Sequence, residues 1–161
     1  GRALAFADDP GWAELLLPLF AAPDGPAPEP VLQAVIELLA RWRRNWGARP
    51  VAVVAMPSAQ HPKLVRSLAS HVAALGRLPL LDALQLKDSA AITPAADAAS
   101  GAKVAALIGA LSLRPEVELP AGPLLLIDAR LRSGWSVTVA AALLRDAGAS
   151  AVLPLVLHRL P

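Results

Sequence analysis

Apolar and polar positions in this chain follow two alternating periods. Val51–Met56 is an unbroken apolar run rich in β-branched residues. It predicts a strand buried on both faces, as in a parallel sheet. Similar runs at Leu80–Leu86, Leu124–Asp128 and Ala151–Leu157 predict three more strands. Between them the spacing becomes helical. Leu32, Val35, Ile36, Leu39, Trp42 and Trp46 share one face of a helix predicted over Val31–Trp46, with Pro30 at its start and Gly47 as its stop. Leu64, Val65, Leu68, Val72 and Leu75 do the same over Pro62–Leu75, closed by Gly76. Val104, Leu107, Ile108 and Leu111 predict a helix over Lys103–Leu113, and another runs over Trp135–Ala147 to Gly148. Pro154 removes a ladder donor from the last strand, which predicts an edge position or a bulge there.

Strands thus alternate with helices, and each link is long enough for a crossover. The expected fold class is α/β, a mostly parallel central sheet flanked by helices with right-handed connections, Rossmann-like in layout. Residues 1–30 read as a lead-in: a short apolar piece, a turn at Asp8-Asp9-Pro10-Gly11, an apolar stretch over Trp12–Phe20, and a Pro-rich loop over Ala21–Pro30. The domain proper is expected over residues 31–161. Lys87–Gly101 reads as a long loop. Ligands of such sheets bind beyond the carboxyl ends of the strands, so the loops Pro57–His61 and Ala129–Ser136 are the places to look.

Composition narrows the classes. The chain has 161 residues, of which 55% are hydrophobic and 17% charged, enough for one domain with a core and too apolar for a disordered segment. No apolar run approaches the roughly 20 residues that span a bilayer, so no membrane partner is expected. The absence of Cys excludes disulfides and thiolate metal sites. A net charge of +2 does not by itself indicate nucleic-acid binding. His61, His71 and His158 lie on separate elements and give no metal-ligand spacing. The start shows no signal-type pattern, which fits a cytoplasmic protein, and beginning at Gly1 rather than Met points to a piece of a longer parent.

The densest candidate chemistry lies in Asp128–Ser136. An apolar strand ends in an acid, a Ser-Gly loop follows, and a helix begins. Ser133, Ser136 and Thr138 offer hydroxyls, Gly134 lets a ligand approach the backbone, and Arg130 and Arg132 supply charge suited to phosphate. The helix N-terminus adds free N–H groups. An ordinary strand–helix turn, with Asp128 or Ser133 as the cap, fits the same residues equally well.

This stretch resembles the ribose-phosphate signature of type I phosphoribosyltransferases: an apolar strand, two acids, two variable residues, Thr-Thr-Gly, one residue and Thr. The acids fall on Asp128 and Ala129, the Thr-Thr-Gly on Arg132, Ser133 and Gly134, and the closing Thr on Ser136. The resemblance implies a phosphoribosyltransferase-like fold in which the acids hold ribose hydroxyls and the loop holds the 5′-phosphate of phosphoribosyl pyrophosphate. Mg²⁺ would be needed only if that ligand binds; no other cofactor is implied. Val51–Ser58 is similar to the family's first core strand and pyrophosphate loop, especially in the competence-protein F type, and this implies that Ser58, Gln60 and Lys63 face a pyrophosphate. The departures weaken the enzyme reading. Ala129 removes one carboxylate, Arg132 replaces a small hydroxyl residue, and Trp135 adds bulk. A lost hydrogen bond to a charged group costs about 1.5–3 kcal/mol, so a degenerate, non-catalytic loop is expected, with an acid restored at position 129 raising sugar-phosphate affinity.

Over about Pro50–His158 the chain is similar to the phosphoribosyltransferase-like domain at the C-terminus of some bacterial RecQ-type ATP-dependent DNA helicases. The likeness rests on Ala52–Ser58, His61-Pro62, Leu64–Ala69, Gly76–Pro79, Ala95–Gly101 and Ala151–Leu157. It implies a parent with helicase motor domains, which would be this domain's partners along with DNA or a nucleotide. It also implies a role in DNA repair or recombination and a cytoplasmic, nucleoid-associated location. The chain itself has no Gly-Lys-Ser/Thr phosphate loop and no Asp-Glu-x-His, so this piece is not expected to hydrolyse ATP or unwind DNA.

Two further segments have plainer readings. At Pro57–Lys63, His61 is expected as a helix N-cap with Lys63 in solvent. Arg41-Trp42-Arg43-Arg44-Asn45-Trp46 has the look of a nucleic-acid patch with interleaved aromatics. Helical spacing instead puts Trp42 and Trp46 in the core, Arg41 and Arg44 outward, and Arg43 within the apolar arc, where it snorkels or meets a carboxylate. Basic residues at a helix C-terminus also complement its dipole.

Overall fold

The computed structural model describes residues 1–7, 9–87 and 100–161. The chain runs through β1 (Arg2–Phe6), α1 (Pro10–Ala21), α2 (Glu29–Trp42), a 3-10 turn (Arg43–Asn45), β2 (Ala52–Ala55) and α3 (Pro62–Gly76). It continues through β3 (Leu80–Leu81), β4 (Leu84–Leu86), α4 (Ser100–Ala110), β5 (Leu111–Leu113), β6 (Gly122–Leu131), α5 (Trp135–Asp146) and β7 (Ala149–Arg159). Five strands form one parallel sheet in the order β1-β7-β6-β2-β3, and β4 and β5 form a separate antiparallel pair. The fold is α/β, a five-stranded parallel sheet flanked by helices and Rossmann-like in layout.

Period-two alternation splits the core into two layers. Leu125, Ile127 and Ala129 of β6 and Val53 of β2 pack with Leu64, Leu68 and Val72 of α3, Val31 and Val35 of α2, and Leu16 of α1. Leu124 and Leu126, with Ala52 and Val54, pack on the other side with Val137, Ala140 and Leu144 of α5 and with Leu84 and Leu111. Each fully buried Leu contributes about 1.5–3 kcal/mol of transfer free energy. Continuous apolar runs at β2 and β6 follow directly from this, because both faces of those strands are covered.

Several expectations need correction. The lead-in is integral to the sheet: β1 pairs with β7 and Leu16 of α1 is buried in the core. Leu80–Leu86 is two strands, broken at Asp82-Ala83, where the Arg114 N–H donates to the Ala83 carbonyl and the Arg114 guanidinium lies 3.6 Å from Asp82. The helix expected over Lys103–Leu113 stops at Ala110, because Leu111–Leu113 finds a strand partner in β4. Ile108 and Leu75, expected inward, are exposed; the side chains of Val104 and Leu107 lie outside the described residues. Gly76 stays helical, and Arg77 closes α3 in the left-handed region at φ 51°. Most of the loop expected over Lys87–Gly101, residues 88–99, lies outside the described residues.

Pro154 sits in a strand with neighbours on both sides. Pairing with β1 begins only at Leu155, opposite Arg2, so Pro154 lies at the rim of that ladder, where a missing donor matters least. The sheet's irregularity is instead at Gly122/Pro123. Gly122 adopts φ +145°, and a Cβ there would come within 2.8 Å of the Val51 side chain, so only Gly fits.

Candidate functional site

Strand order locates a crevice. After β2 the chain moves outward to β3, and after β6 it moves the opposite way to β7. The carboxyl ends of β2 and β6 therefore flank a topological switch point, where open α/β sheets bind ligands. The two loops singled out by sequence, after β2 and after β6, lie on either side of it.

Their geometry differs from expectation. Strand β6 does not end at Asp128. It runs on to Leu131, because β7 supplies partners for Asp128, Arg130 and Leu131 in Val156, His158 and Arg159. A neighbour strand that continues alongside thus overrides the local tendency of these charged residues to leave the sheet. Ala55 of β2 pairs with Ile127, and β6 continues four residues beyond that level. At about 3.3 Å per residue, the Arg132–Gly134 loop stands roughly 13 Å above the end of β2. The expected single loop from Ala129 to Ser136 is therefore a strand end followed by a short turn.

Asp128 is a ladder residue only 8% exposed. Its Oδ1 accepts a hydrogen bond from the Ala129 N–H at 2.7 Å. Burial pushes its carboxyl up to about 6, and the Ala129 bond only partly opposes this. Ala129 packs in the core beside Leu125 and Ile127. An acid placed there would enter an apolar layer, so restoring Asp at 129 is expected to destabilise the fold rather than create a ribose site. Arg130 is half-buried, Arg132 and Ser133 are exposed, and Ser136 is half-buried. Gly134 opens α5 at φ +79° with no side-chain cap, and the Thr138 hydroxyl donates to its carbonyl at 3.0 Å. Trp135 is 36% exposed at the first helical position. Neither Asp128 nor Ser133 caps α5.

The β2 side is built differently. Ser58 is half-buried and its Oγ accepts from the His61 N–H at 3.0 Å; Gln60 and Lys63 are exposed. His61 occupies the N-cap position of α3 but its side chain makes no capping bond. Asp24 does that work. The Lys63 N–H donates to its Oδ2 at 2.7 Å and the Leu64 N–H to its Oδ1 at 3.1 Å. The N–H groups at the α3 N-terminus, which would otherwise suit an anion, are already taken by a carboxylate of the same chain.

No family model matches the chain, and no curated protein matches it either.

Between the two loops lies a cluster that sequence reasoning missed. The Phe20 ring meets His61 edge-on at 5.2 Å, stacks on His158 at 5.9 Å, and has the Arg130 guanidinium 4.7 Å above it. The C-terminal end of α1 therefore reaches the carboxyl rim of the sheet. His158 is 4% exposed, and its Nδ1 and the Arg130 Nε are buried without a partner among the described residues. Burial, then the Arg130 charge, hold His158 below the usual imidazole range. Two of the three histidines thus converge on one ring. Among the described residues, no group of three His, Asp or Glu is placed to hold a metal ion, and no helix is long and apolar enough to cross a membrane. Only the pairing of β6 with β7 could have signalled the Arg130–His158 contact. Asp24 lies 39 residues from its partner in α3, inside a Pro-rich loop, and carries no local signal.

Proposed function

We propose that this chain is a catalytically silent phosphoribosyltransferase-like module, the accessory domain of a RecQ-type DNA helicase acting in repair or recombination. The observation that carries the silence is Asp24 on the α3 N-terminus: the chain's own carboxylate occupies the switch-point position where a pyrophosphate would sit. The buried Asp128 and the core-packed Ala129 support the same reading, because neither presents a carboxylate to ribose hydroxyls. What remains available is the uncapped α5 turn, with Arg132, Ser133 and Gly134, suited to a single phosphate of a nucleotide or nucleic-acid end. The module would hold such a group weakly or pack on its motor domains, and would transfer no ribosyl group.

Calorimetric titration with phosphoribosyl pyrophosphate and Mg²⁺ tests this. Binding at about millimolar Kd or weaker, with no ribosyl transfer to any of the nucleobases, is the expected result. Micromolar binding abolished by Asp128→Ala would replace this reading with an active transferase. If the phosphate belongs to single-stranded DNA, affinity should fall steeply with salt and weaken in Arg132→Ala.

A further inference from the structure

A second site lies at the opposite end of the sheet, independent of the phosphoribosyl reading. The last turns of α2 and α3 and the segment 46–50 enclose an open cleft of about 640 Å³, with Leu125 of β6 among its walls. This volume falls within the ordinary range for binding pockets. Its walls are aliphatic: Ile36 and Leu39 from α2, Val72 and Leu75 from α3, and Leu78 beyond. The α3 stripe explains why the cleft is apolar. Leu64, Leu68 and Val72 are buried, but Leu75, next in the same stripe, is 59% exposed and has nothing to cover it.

The rim is cationic. Arg43, Arg44 and Arg49 line it, and among the described residues no Asp or Glu does. Arg43, whose place in the apolar arc predicts snorkelling or a carboxylate partner, does neither among the described residues; it stands exposed in the 3-10 turn. Arg49 donates to the Gly76 carbonyl at 2.9 Å, which fixes it over the end of α3. Trp46 forms part of the wall, edge-on to the buried Trp42 at 5.6 Å, and its Nε1 is sealed from solvent without an acceptor.

We infer that this cleft is a docking site for an acidic peptide segment of a partner protein, with an aliphatic or aromatic anchor seated on Leu75 and flanking carboxylates meeting Arg43 and Arg44. Charge complementarity selects the acid, and the aliphatic walls select the anchor. Nucleic acid fits less well. Successive bases need several open aromatic faces, and the cleft offers a single, half-buried indole, Trp46.

The test is selection from a displayed library of random 12-residue peptides against the full chain. Expected is enrichment of sequences in which Asp or Glu flanks Leu, Ile or Phe. The selected peptides should bind at least about tenfold more weakly to Leu75→Ser and to Arg43→Glu/Arg44→Glu, a loss of about 1.4 kcal/mol or more. All three positions are exposed, and an unchanged melting temperature would show that the variants fold. Enrichment without acidic residues, or equal binding to the variants, overturns the proposal. So does tighter binding of an oligothymidylate than of any selected peptide, or a dimer of the chain that Leu75→Ser dissolves.

Discussion

Two strand–loop–helix junctions flank the switch point, and each has an acid beside it. At the β2–α3 junction, Asp24 arrives from a distant loop and both its oxygens accept backbone N–H bonds from the first turn of the helix. At the β6–α5 junction, Asp128 lies in the strand, buried, with one bond from its neighbour's N–H. The first carboxylate sits at the positive end of a helix and has two backbone partners. The second sits where burial disfavours its charged form. An acid in the sequence therefore says nothing about function until its surroundings are known: Asp24, which reads as loop, caps a helix, and Asp128, which reads as a ligand-binding acid, is withheld from solvent.

Neutralising these acids should have opposite effects, and the larger belongs to Asp128. Its carboxyl titrates at about 6 in the folded protein against an ordinary value of 3.8. Because the folded state favours the protonated acid, the stability tied to it is present below about pH 3.8 and is lost as pH rises toward 6. At neutral pH the buried charge costs roughly 3 kcal/mol. Asp128→Asn keeps an oxygen to accept from Ala129 and removes the charge. Chemical denaturation at pH 7.5 should show a gain approaching that size, shrinking to near zero at pH 4. An unchanged or lower stability at pH 7.5 would mean that a cation or a ligand compensates Asp128 in solution, and would reopen the catalytic reading of the β6 side.

Sequence reading located the frame because buried parallel strands announce themselves: Val51–Met56 and Leu124–Ile127 can be little else once helices alternate with them. It failed wherever a distant partner decided the outcome. Arg130 and Leu131 look like loop residues locally and become strand only because β7 continues beside them. Leu111–Leu113 continues a helical stripe and becomes strand because β4 is there to pair with. The candidate site was half legible for the same reason. Gly134 and the start of α5 follow from local spacing, whereas Asp24 on α3 and Phe20 between His61 and His158 exist only in three dimensions.

Removing the Asp24 carboxylate is the next largest change. Asp24→Ala leaves the Lys63 and Leu64 N–H groups without their acceptor and removes a negative charge from the positive end of α3. Caps of this kind contribute about 0.5–2 kcal/mol, and here the helix carries part of the core, so a loss of about 1–2 kcal/mol is expected in thermal unfolding. The emptied helix end should then accept an anion. Sulfate or inorganic phosphate should raise the melting temperature of Asp24→Ala more than that of the unaltered chain. Equal responses would show that Asp24 is a structural cap and nothing more, and the two junctions would then differ in stability alone.

The smallest effect isolates the α5 turn. Gly134 holds φ at +79°, and a Cβ built there meets nothing within 4 Å. Gly134→Ala therefore adds no clash with its surroundings and is penalised only by the backbone conformation, by about 1 kcal/mol. The bond from the Thr138 hydroxyl to the Gly134 carbonyl resists relaxation of the turn, because straightening it would break that contact. If the turn binds phosphate, a methyl group beside its free N–H groups should weaken phosphate binding by more than the stability loss accounts for, while Asp24→Ala strengthens it at the other junction. Measured by phosphorus NMR line broadening, opposite shifts in the two variants would assign one anion position to each junction. A loss of binding in neither would leave the β6–α5 turn as an ordinary strand–helix connection whose glycine serves geometry alone.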